Sequence, residues 1–489
     1  MSAKPSVVII LAAGEGTRMK SRTPKVLHTV AGRSLIGHVV EAASAAEPEH
    51  LMVVVGHGRD QVTAHLEEIA PWVLTVVQEE QNGTGHAVRV ALADLAARGA
   101  DISTGPVVVL TGDTPLLTGT SVRHLLDSHA HQGASATMLT AHLVDPAGYG
   151  RVVRDGDGAV ISIVEHRDAT ADQLLLTEIN SGMYAFDGRL LLESLARITT
   201  NNAQGEEYLT DVIQILRADS HPVSAAVCSD ASEIMGVNDR VQLAEAGAIM
   251  RDRLNEQWMR AGVTIADPAS TWIDVDVELS ADVTLAPQTV LRGPTSVETG
   301  AQIGPGTTLV ACEVGENAEV IHTWAQLAVI GAGAHVGPFT YLRPGTVLGA
   351  GAKAGAYVEI KNSTVGDGSK VPHLSYVGDA EIGPGTNIGA ATVFVNYDGQ
   401  EKHRTVVGRD VRVGSDSMLV APVTIGDGAY TAAGSVITED VPPGAMAVGR
   451  ARQRNIDGWV ERKRPDSASA KAASEASDNR NSEDPHTSR

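Results

Sequence analysis

Aromatic residues are scarce, with Phe, Tyr and Trp making up only 3% of the 489 residues. A core short of rings must be filled by small and branched aliphatic side chains, and 50 glycines supply many tight turns. Cysteine is rarer still. Cys228 and Cys312 are the only two, which excludes a disulfide framework and fits a reducing compartment. Cations are outnumbered by anions, and the formal net charge is -21. That balance excludes non-specific binding to nucleic acid or to an anionic membrane surface, since both need basic patches. Any phosphate-bearing ligand must then be held by local donors or a metal, against the global field. Long apolar runs are missing too. The first, residues 7–13, is too short to span a bilayer, and Gly14-Glu15-Gly16 after it is a poor signal-peptide cleavage site. The chain therefore reads as soluble and cytoplasmic, with no membrane insertion.

What is present falls into three regions and a tail. Over residues 1–241, short β-branched runs at 7–11, 51–55, 73–77 and 107–110 alternate with helical patterns such as 34–46 and 85–97. Such alternation predicts βαβ units and a mostly parallel, Rossmann-like α/β sheet covered by helices. Ligands of such sheets bind outside the carboxyl ends of the strands. Over residues 242–262, Leu243, Gly247, Met250, Leu254 and Trp258 recur at spacings of three and four, the mark of one helix face. This segment reads as a linker helix, with Gly262 a plausible stop. From 263 to 463 the period changes. An aliphatic or small residue returns every sixth position at Ile330, Val336, Leu342, Leu348, Ala354 and Ile360, often followed by Gly. The phase slips at Val365 and again at Ile382. A longer interruption spans residues 394–405, and the beat resumes from Val407 to Ile437. A six-residue beat is the signature of a hexapeptide β-helix, here of about ten 18-residue coils. Hexapeptide families typically wind it left-handed, against the usual rule for parallel crossovers. The tail, residues 464–489, has almost no large apolar residue and is expected to be disordered.

Chemistry gathers first at Leu11-Ala12-Ala13-Gly14-Glu15-Gly16-Thr17-Arg18-Met19, directly after the first strand. The loop is neither a Walker loop nor a dinucleotide fingerprint, because position 19 is not Gly and no Gly-Lys-Ser/Thr follows. Its glycines let backbone N–H groups approach phosphate oxygens, and Arg18 and Lys25 add two cations. This loop, with Pro24-Lys25 after it, resembles the signature of sugar-1-phosphate nucleotidyltransferases. Gly83-Thr84-Gly85-His86-Ala87, Gly112-Asp113, Gly148-Tyr149-Gly150-Arg151, Glu178-Ile179-Asn180-Ser181-Gly182, Glu207-Tyr208-Leu209-Thr210-Asp211 and Gly236-Val237-Asn238 follow in order. Together they resemble N-acetylglucosamine-1-phosphate uridyltransferases. The resemblance implies that Leu11, Ala12, Ala13, Gly14, Lys25, Gln78, Gly83 and Thr84 hold the nucleotide. It implies that Gly150, Glu165 and Asn180 hold the sugar, and that Asp113 and Asn238 ligate Mg²⁺. Two oxygen donors suit a hard cation.

In the repeat region, polar residues collect where a plain β-helix does not need them. They are Arg343, Lys361, His373, Tyr376, Asn387 and Asn396-Tyr397, with Lys402 and Arg404 in the interruption. Lys361-Asn362-Ser363-Thr364 and His373-Leu374-Ser375-Tyr376-Val377-Gly378-Asp379-Ala380 resemble the acetyltransferase half of the bifunctional uridyltransferase/acetyltransferase family. The resemblance, over about residues 6–462, implies the following roles. His373 takes a proton from the attacking glucosamine amine, as an imidazole suits. Arg343, Lys361, Tyr376 and Asn387 hold glucosamine-1-phosphate. Ala390, Asn396, Tyr397, Ser415, Ala433 and Arg450 hold acetyl-CoA. It further implies a homotrimer, UTP and acetyl-CoA as co-substrates, and the two reactions that yield UDP-N-acetylglucosamine for cell-wall precursor synthesis. Two other classes stay open on the residues alone: a nucleotidyltransferase whose β-helix only oligomerises it, and a structural β-helix joined to a sugar-nucleotide binder. Regular Thr or Ser ladders would favour the structural helix, and none is evident from the sequence. No His/Cys spacing suggests zinc.

Overall fold

A computed structural model describes residues 4–103, 105–202 and 204–483. In the first region the apolar runs form strands β1 (Val7–Ala12), β2 (His50–Val55), β3 (Leu74–Val77), β4 (Pro106–Thr111), β5 (Ala136–His142), β6 (Arg151–Arg154), β7 (Val160–Val164), β8 (Glu178–Asp187) and β9 (Val223–Val227). The main sheet runs β9-β5-β8-β4-β1-β2-β3, and the β6–β7 hairpin joins through β8. Strands β4, β1, β2 and β3 are mutually parallel. Strand β8 is antiparallel to both β4 and β5, so the sheet is mixed. Continuous burial from Val7 to Ile10 reflects cover on both faces. Val8 and Ile10 pack toward Ile36, Val39 and Val40 of the helix Leu35–Ser44. Val7 and Ile9 pack toward Val88, Leu92 and Leu95 of the helix Thr84–Ala97. Parallel strands need covering helices in this way.

The helix Arg240–Arg260 starts where the Asp239 carboxylate accepts from the N–H groups of Val241 and Gln242. Such a cap is worth about 1 kcal/mol. Its stripe serves both neighbours. Leu243 and Met250 pack on the Met19, Val30 and Leu35 cluster of the first region, and Trp258 packs on the core of the repeats. Asn255 is fully buried and donates to the carbonyls of Pro268 and Thr271. Arg33 meets Asp276 at 2.9 Å, tying the first coil back to the sheet domain.

The repeats form a three-sided parallel β-helix, its sheets of eleven, ten and nine short strands, as expected of the left-handed hexapeptide kind. Ile330, Val336, Leu342, Leu348, Ala354 and Ile360 all point inward, none more than 2% exposed. The slips at Val365 and Ile382 are corners one residue shorter, across which the register holds: Leu348 pairs with Val365 and Val365 with Ile382. The interruption begins later than expected. Phe394 keeps the six-residue beat from Ile388 and is fully buried, so the projecting loop leaves only after Val395. An aromatic in an aliphatic slot disguised that coil.

A hydroxyl ladder is present after all. Thr289, Thr307, Thr323, Thr340, Ser375, Thr392, Ser417 and Ser435 are buried along the prism. Their side chains satisfy corner carbonyls, as when Thr289 donates to Ala286, Thr392 to Gly389 and Ser417 to Gly414. Buried carbonyls need such partners, and the ladder was hard to read because Thr gives way to Ser along it and Val358 interrupts it. The tail also differs from expectation. Residues 468–483 form the helix Ala468–Glu483, whose alanine-rich first half has high helix propensity. Residues 484–489 lie outside the described residues.

Candidate functional site

Loops leaving the carboxyl ends of β1, β3 and β4 enclose a cavity of about 340 Å³. Leu11, Ala12, Ala13, Gly14, Lys25, Gln78, Gly83, Thr84 and Asp113 all line it, so residues far apart in the chain share one wall. Gln78 donates to the carbonyl of Gly83. Thr84 accepts from the Leu209 N–H, which ties this segment to the Glu207–Asp211 motif. Gly83 sits at φ 105°, and a Cβ there would lie 2.5 Å from the Glu207 carbonyl oxygen. Only glycine fits so close an approach.

Lys25 Nζ lies 2.5 Å from Asp113 Oδ2 and 3.3 Å from Asn238 Oδ1. Arg18 also donates to Asn238 Oδ1, at 2.9 Å. The Asn238 loop is held against Asp113, whose carbonyl accepts from the Val237 N–H at 2.8 Å. A carboxylate and an amide oxygen thus face one cation, the Lys25 ammonium, which tests whether they fit a metal. They do: Mg²⁺ takes few protein oxygens and completes its shell with water and substrate phosphates. Among the described residues no group of three or more His, Cys, Asp or Glu converges as a metal cage.

A second cavity of about 240 Å³ adjoins the first and shares Leu11, Thr84 and Thr111 with it. Glu165 and Asn180 line it. Gly150 stands beside them: its carbonyl accepts from the Asn180 N–H at 2.9 Å, and a Cβ on it would sit 3.5 Å from the Glu165 carboxylate. Burial pushes the Glu165 carboxyl above its ordinary range, and the charges of Asp168 and Asp211 add to the shift.

The repeat region disposes its polar residues differently. His373 ends the strand Lys370–His373 and is exposed at a corner of the prism. Its ring makes no hydrogen bond among the described residues, while its carbonyl accepts from Ala391 N and Ser375 Oγ. The same corner continues coil by coil. Asp416 N donates to the Ala390 carbonyl and Gly434 N to the Ser415 carbonyl, and the Arg450 side chain lies beside Gly434. Ala390, Ser415, Ala433 and Arg450 therefore run along one edge, with His373 at its head.

Lys361 stands at the other end of the adjoining face, paired in register with Gly378. Five residues separate the two ends, up to about 16 Å along a strand. Tyr376 lies between the two ends and turns its hydroxyl toward the Lys361 end, into the space a Cβ on Gly378 would need. Asn387 enters the next strand of the His373 side, paired with Lys370. Arg343 meets Glu359 at 2.8 Å.

At the Lys361 corner, Asp379 accepts from Asn362, Asn396 and Lys361. Burial works to raise its carboxyl, but these donors outweigh it and hold Asp379 below the ordinary range. Lys402 reaches in from the projecting loop, closed by the Tyr397–Lys402 bridge. The Lys361 ammonium beside it lowers the Lys402 pKa, and Arg343 adds to the effect. Lys361 itself is held above its ordinary range, by its contact with Lys402 and the charge of Asp379, and cations gathered at one corner form a ready anion site. Asn396 and Tyr397 thus belong to the Lys361 corner and not to the edge that carries Ala390, Ser415, Ala433 and Arg450.

Comparison with known proteins covers both halves. Residues 8–221 match the MobA-like NTP transferase domain family. Residues 404–439 match the bacterial transferase hexapeptide family. The chain is 60% identical over 475 residues to the bifunctional protein GlmU of Streptomyces avermitilis, covering 97% of this chain and 98% of that one. It is 58% identical over 475 residues to that of Thermobifida fusca, with 97% and 98% covered. To that of Corynebacterium glutamicum it is 52% identical over 482 residues, with 98% of each covered. The chain belongs to the bifunctional GlmU family. It is accordingly an enzyme with a uridyltransferase half and an acetyltransferase half. Membership in the GlmU family accounts for a nucleotidyltransferase sheet and a hexapeptide prism on one chain, and UTP and acetyl-CoA are the corresponding substrates.

Some residues of these sites escaped the sequence reading. Gln81 donates to the Ala13 carbonyl and lines the first cavity. Gln204 and Glu206 line the second, and Glu206 the first as well, from the loop just ahead of the Glu207–Asp211 motif. Tyr184 lines the second too, although its place in an apolar run reads as core. At the Lys361 corner, the role of Asp379 as common acceptor was hidden because its partners lie 17 or 18 residues away along the chain.

Proposed function

We propose that the chain acetylates glucosamine-1-phosphate with acetyl-CoA on the prism, then joins N-acetylglucosamine-1-phosphate to UMP from UTP in the sheet domain. UDP-N-acetylglucosamine and pyrophosphate are the products, and cell-wall precursors their use. The observation that carries this reading is the physical separation of two sites suited to different chemistry.

In the sheet domain, the loop from Leu11 to Gly14, with Gln78, Gly83 and Thr84, holds the nucleotide. Gly150, Glu165 and Asn180 hold the sugar. These groups align the sugar phosphate oxygen with the α-phosphorus, which the oxygen attacks as pyrophosphate leaves. Lys25 and Arg18 neutralise charge that develops on the phosphates. Asp113 and Asn238 would hold Mg²⁺, which when bound supplies further neutralisation of that charge.

On the prism, Arg343 and Lys361 take the sugar phosphate, and Tyr376 and Asn387 position the ring between them and His373. The amine attacks the thioester carbonyl. His373 removes the amine proton, and the CoA thiolate departs as the amide forms. Ala390, Ser415, Ala433 and Arg450 offer the extended edge that a CoA chain needs. Asn396 and Tyr397 act from the projecting loop, by contacts that a second copy would complete.

A homotrimer is proposed on the same grounds. His322, Phe339 and Tyr357 stack at 5.4 Å along one corner, with Phe339 and Tyr357 more than half exposed. An apolar ladder of this kind suits burial between copies. A cytoplasmic setting fits two free, buried cysteines. The chain has no helix among its described residues long and apolar enough to cross a membrane.

The test incubates purified protein with glucosamine-1-phosphate, acetyl-CoA, UTP and Mg²⁺. UDP-N-acetylglucosamine should form with equimolar CoA and pyrophosphate. CoA release without nucleotide sugar, or neither product, would reject the reading.

A further inference from the structure

Strand β8 carries Asn180 and, four residues on, Tyr184, with an irregularity in the pairing between them. The Asn180 side-chain oxygen accepts from the Gly182 backbone N–H at 3.2 Å. A backbone N–H can only donate, so this contact fixes which end of the amide is oxygen. The amide nitrogen therefore faces Tyr184 and donates to its hydroxyl at 2.7 Å. Tyr184 must then be the acceptor, and its own proton points elsewhere. Among the described residues that proton meets no acceptor. Yet Tyr184 is only 1% exposed and lines the second cavity beside Glu165. A buried donor without a partner is costly, about 1–3 kcal/mol. The ring is locked against Phe186, the centroids 5.3 Å apart, so the hydroxyl cannot swing away to water. Burial also holds its pKa well above the ordinary phenol value, keeping the proton in place.

We propose that Tyr184 is a positioning and specificity residue of the sugar subsite: its hydroxyl fixes the Asn180 amide and donates to an oxygen of the bound hexosamine phosphate. This rests on the reading of Asn180 and Glu165 as sugar-holding residues. One hydrogen bond serves two ends. It presents the second amide hydrogen of Asn180 to the cavity in a set direction, and it leaves the phenol proton for the ligand. A site built to donate discriminates against ligands that lack the matching oxygen.

The test compares Tyr184→Phe and Asn180→Ala with the unaltered full chain in uridyl transfer. Acetyl transfer by the same polypeptide reports that it has folded. Tyr184→Phe keeps the ring and its stacking. KM for N-acetylglucosamine-1-phosphate should rise about tenfold, the loss of roughly one good hydrogen bond, with kcat changed less than threefold and KM for UTP unchanged. Asn180→Ala should raise the same KM at least as far. If Asn180→Ala raises it and Tyr184→Phe does not, Tyr184 is core packing and the proposal fails alone. If neither variant moves that KM, the sugar subsite lies elsewhere and both readings fall. A lower melting temperature for Tyr184→Phe with unchanged KM would likewise overturn the proposal.

Discussion

The two halves build their sites in opposite ways. In the sheet domain, residues between Leu11 and Asn238 converge on one enclosed space, because parallel strands deliver their loops to the same edge. In the prism, each coil touches only its neighbours, so functional residues can be set out along an edge but not surrounded. His373 is exposed, whereas Asn180 is only 8% exposed. The first kind of site is complete within one chain. The second supplies one wall, and its exposed corners ask for another. A repeat fold thus gains length and register at the expense of enclosure.

Separate construction should give separable loss. The largest effect is expected for Asp113→Ala, which removes the carboxylate facing Lys25. Uridyl transfer should fall by about 10³-fold or more, in line with the loss of a metal's charge stabilisation, with acetyl transfer unchanged. An initial-rate assay of both activities decides it. Equal loss of both would break the comparison. Next is His373→Ala, for which acetyl transfer should fall roughly 10²–10⁴-fold, the usual contribution of a general base. Uridyl transfer from N-acetylglucosamine-1-phosphate should not move. Lys361→Ala should be smaller, raising KM for glucosamine-1-phosphate about 10–100-fold through one charge-assisted contact. An unchanged KM would remove the anion site from that corner.

A stability test sharpens the contrast in enclosure. Glu165 is pushed up mainly by burial, so its folded pKa exceeds the unfolded value of about 4.3. The folded chain holds this proton more tightly than the unfolded chain. Stability therefore falls as pH rises from about 4.3 through the folded value, and the ionised carboxylate still opposes folding at neutral pH. Glu165→Gln should raise the melting temperature at pH 7.5 by about 1–3 °C, with the gap closing toward pH 4. A gap independent of pH would show that burial is not the cause. Asp379, held low by its donors, has the reverse sign: its contribution is present above the unfolded value of about 3.9 and is lost as pH falls through the lower folded one.

Legibility in the sequence follows the same division. The prism was readable because its period repeats: Ile330 through Ile360, and Val407 through Ile437, fall inward as the beat predicts. Reading failed where a different residue type kept the geometry. Phe394 is one case, and the corner ladder, mixed in Thr and Ser and broken at Val358, is another. The lining of the first cavity was readable as a group because Leu11–Gly14, Gln78, Gly83 and Thr84 lie in local motifs at strand ends. Strand β8 was not read as a strand, since its Asn180-Ser181-Gly182 segment breaks any alternation and its pairing is antiparallel. Contacts set by distant register, such as Asn362 and Asn396 on Asp379, carry no local signal. The placement of Asn396 at the Lys361 corner, away from the edge of Ala390 and Ser415, belongs to this class.

Two independent sites on one chain that act in succession must communicate through a free intermediate. The most direct measurement mixes the Asp113→Ala and His373→Ala proteins with glucosamine-1-phosphate, acetyl-CoA, UTP and Mg²⁺. Neither protein alone should make UDP-N-acetylglucosamine at an appreciable rate, and the mixture should make it readily, as N-acetylglucosamine-1-phosphate passes from one to the other. A mixture as inactive as its parts would rule out a free intermediate.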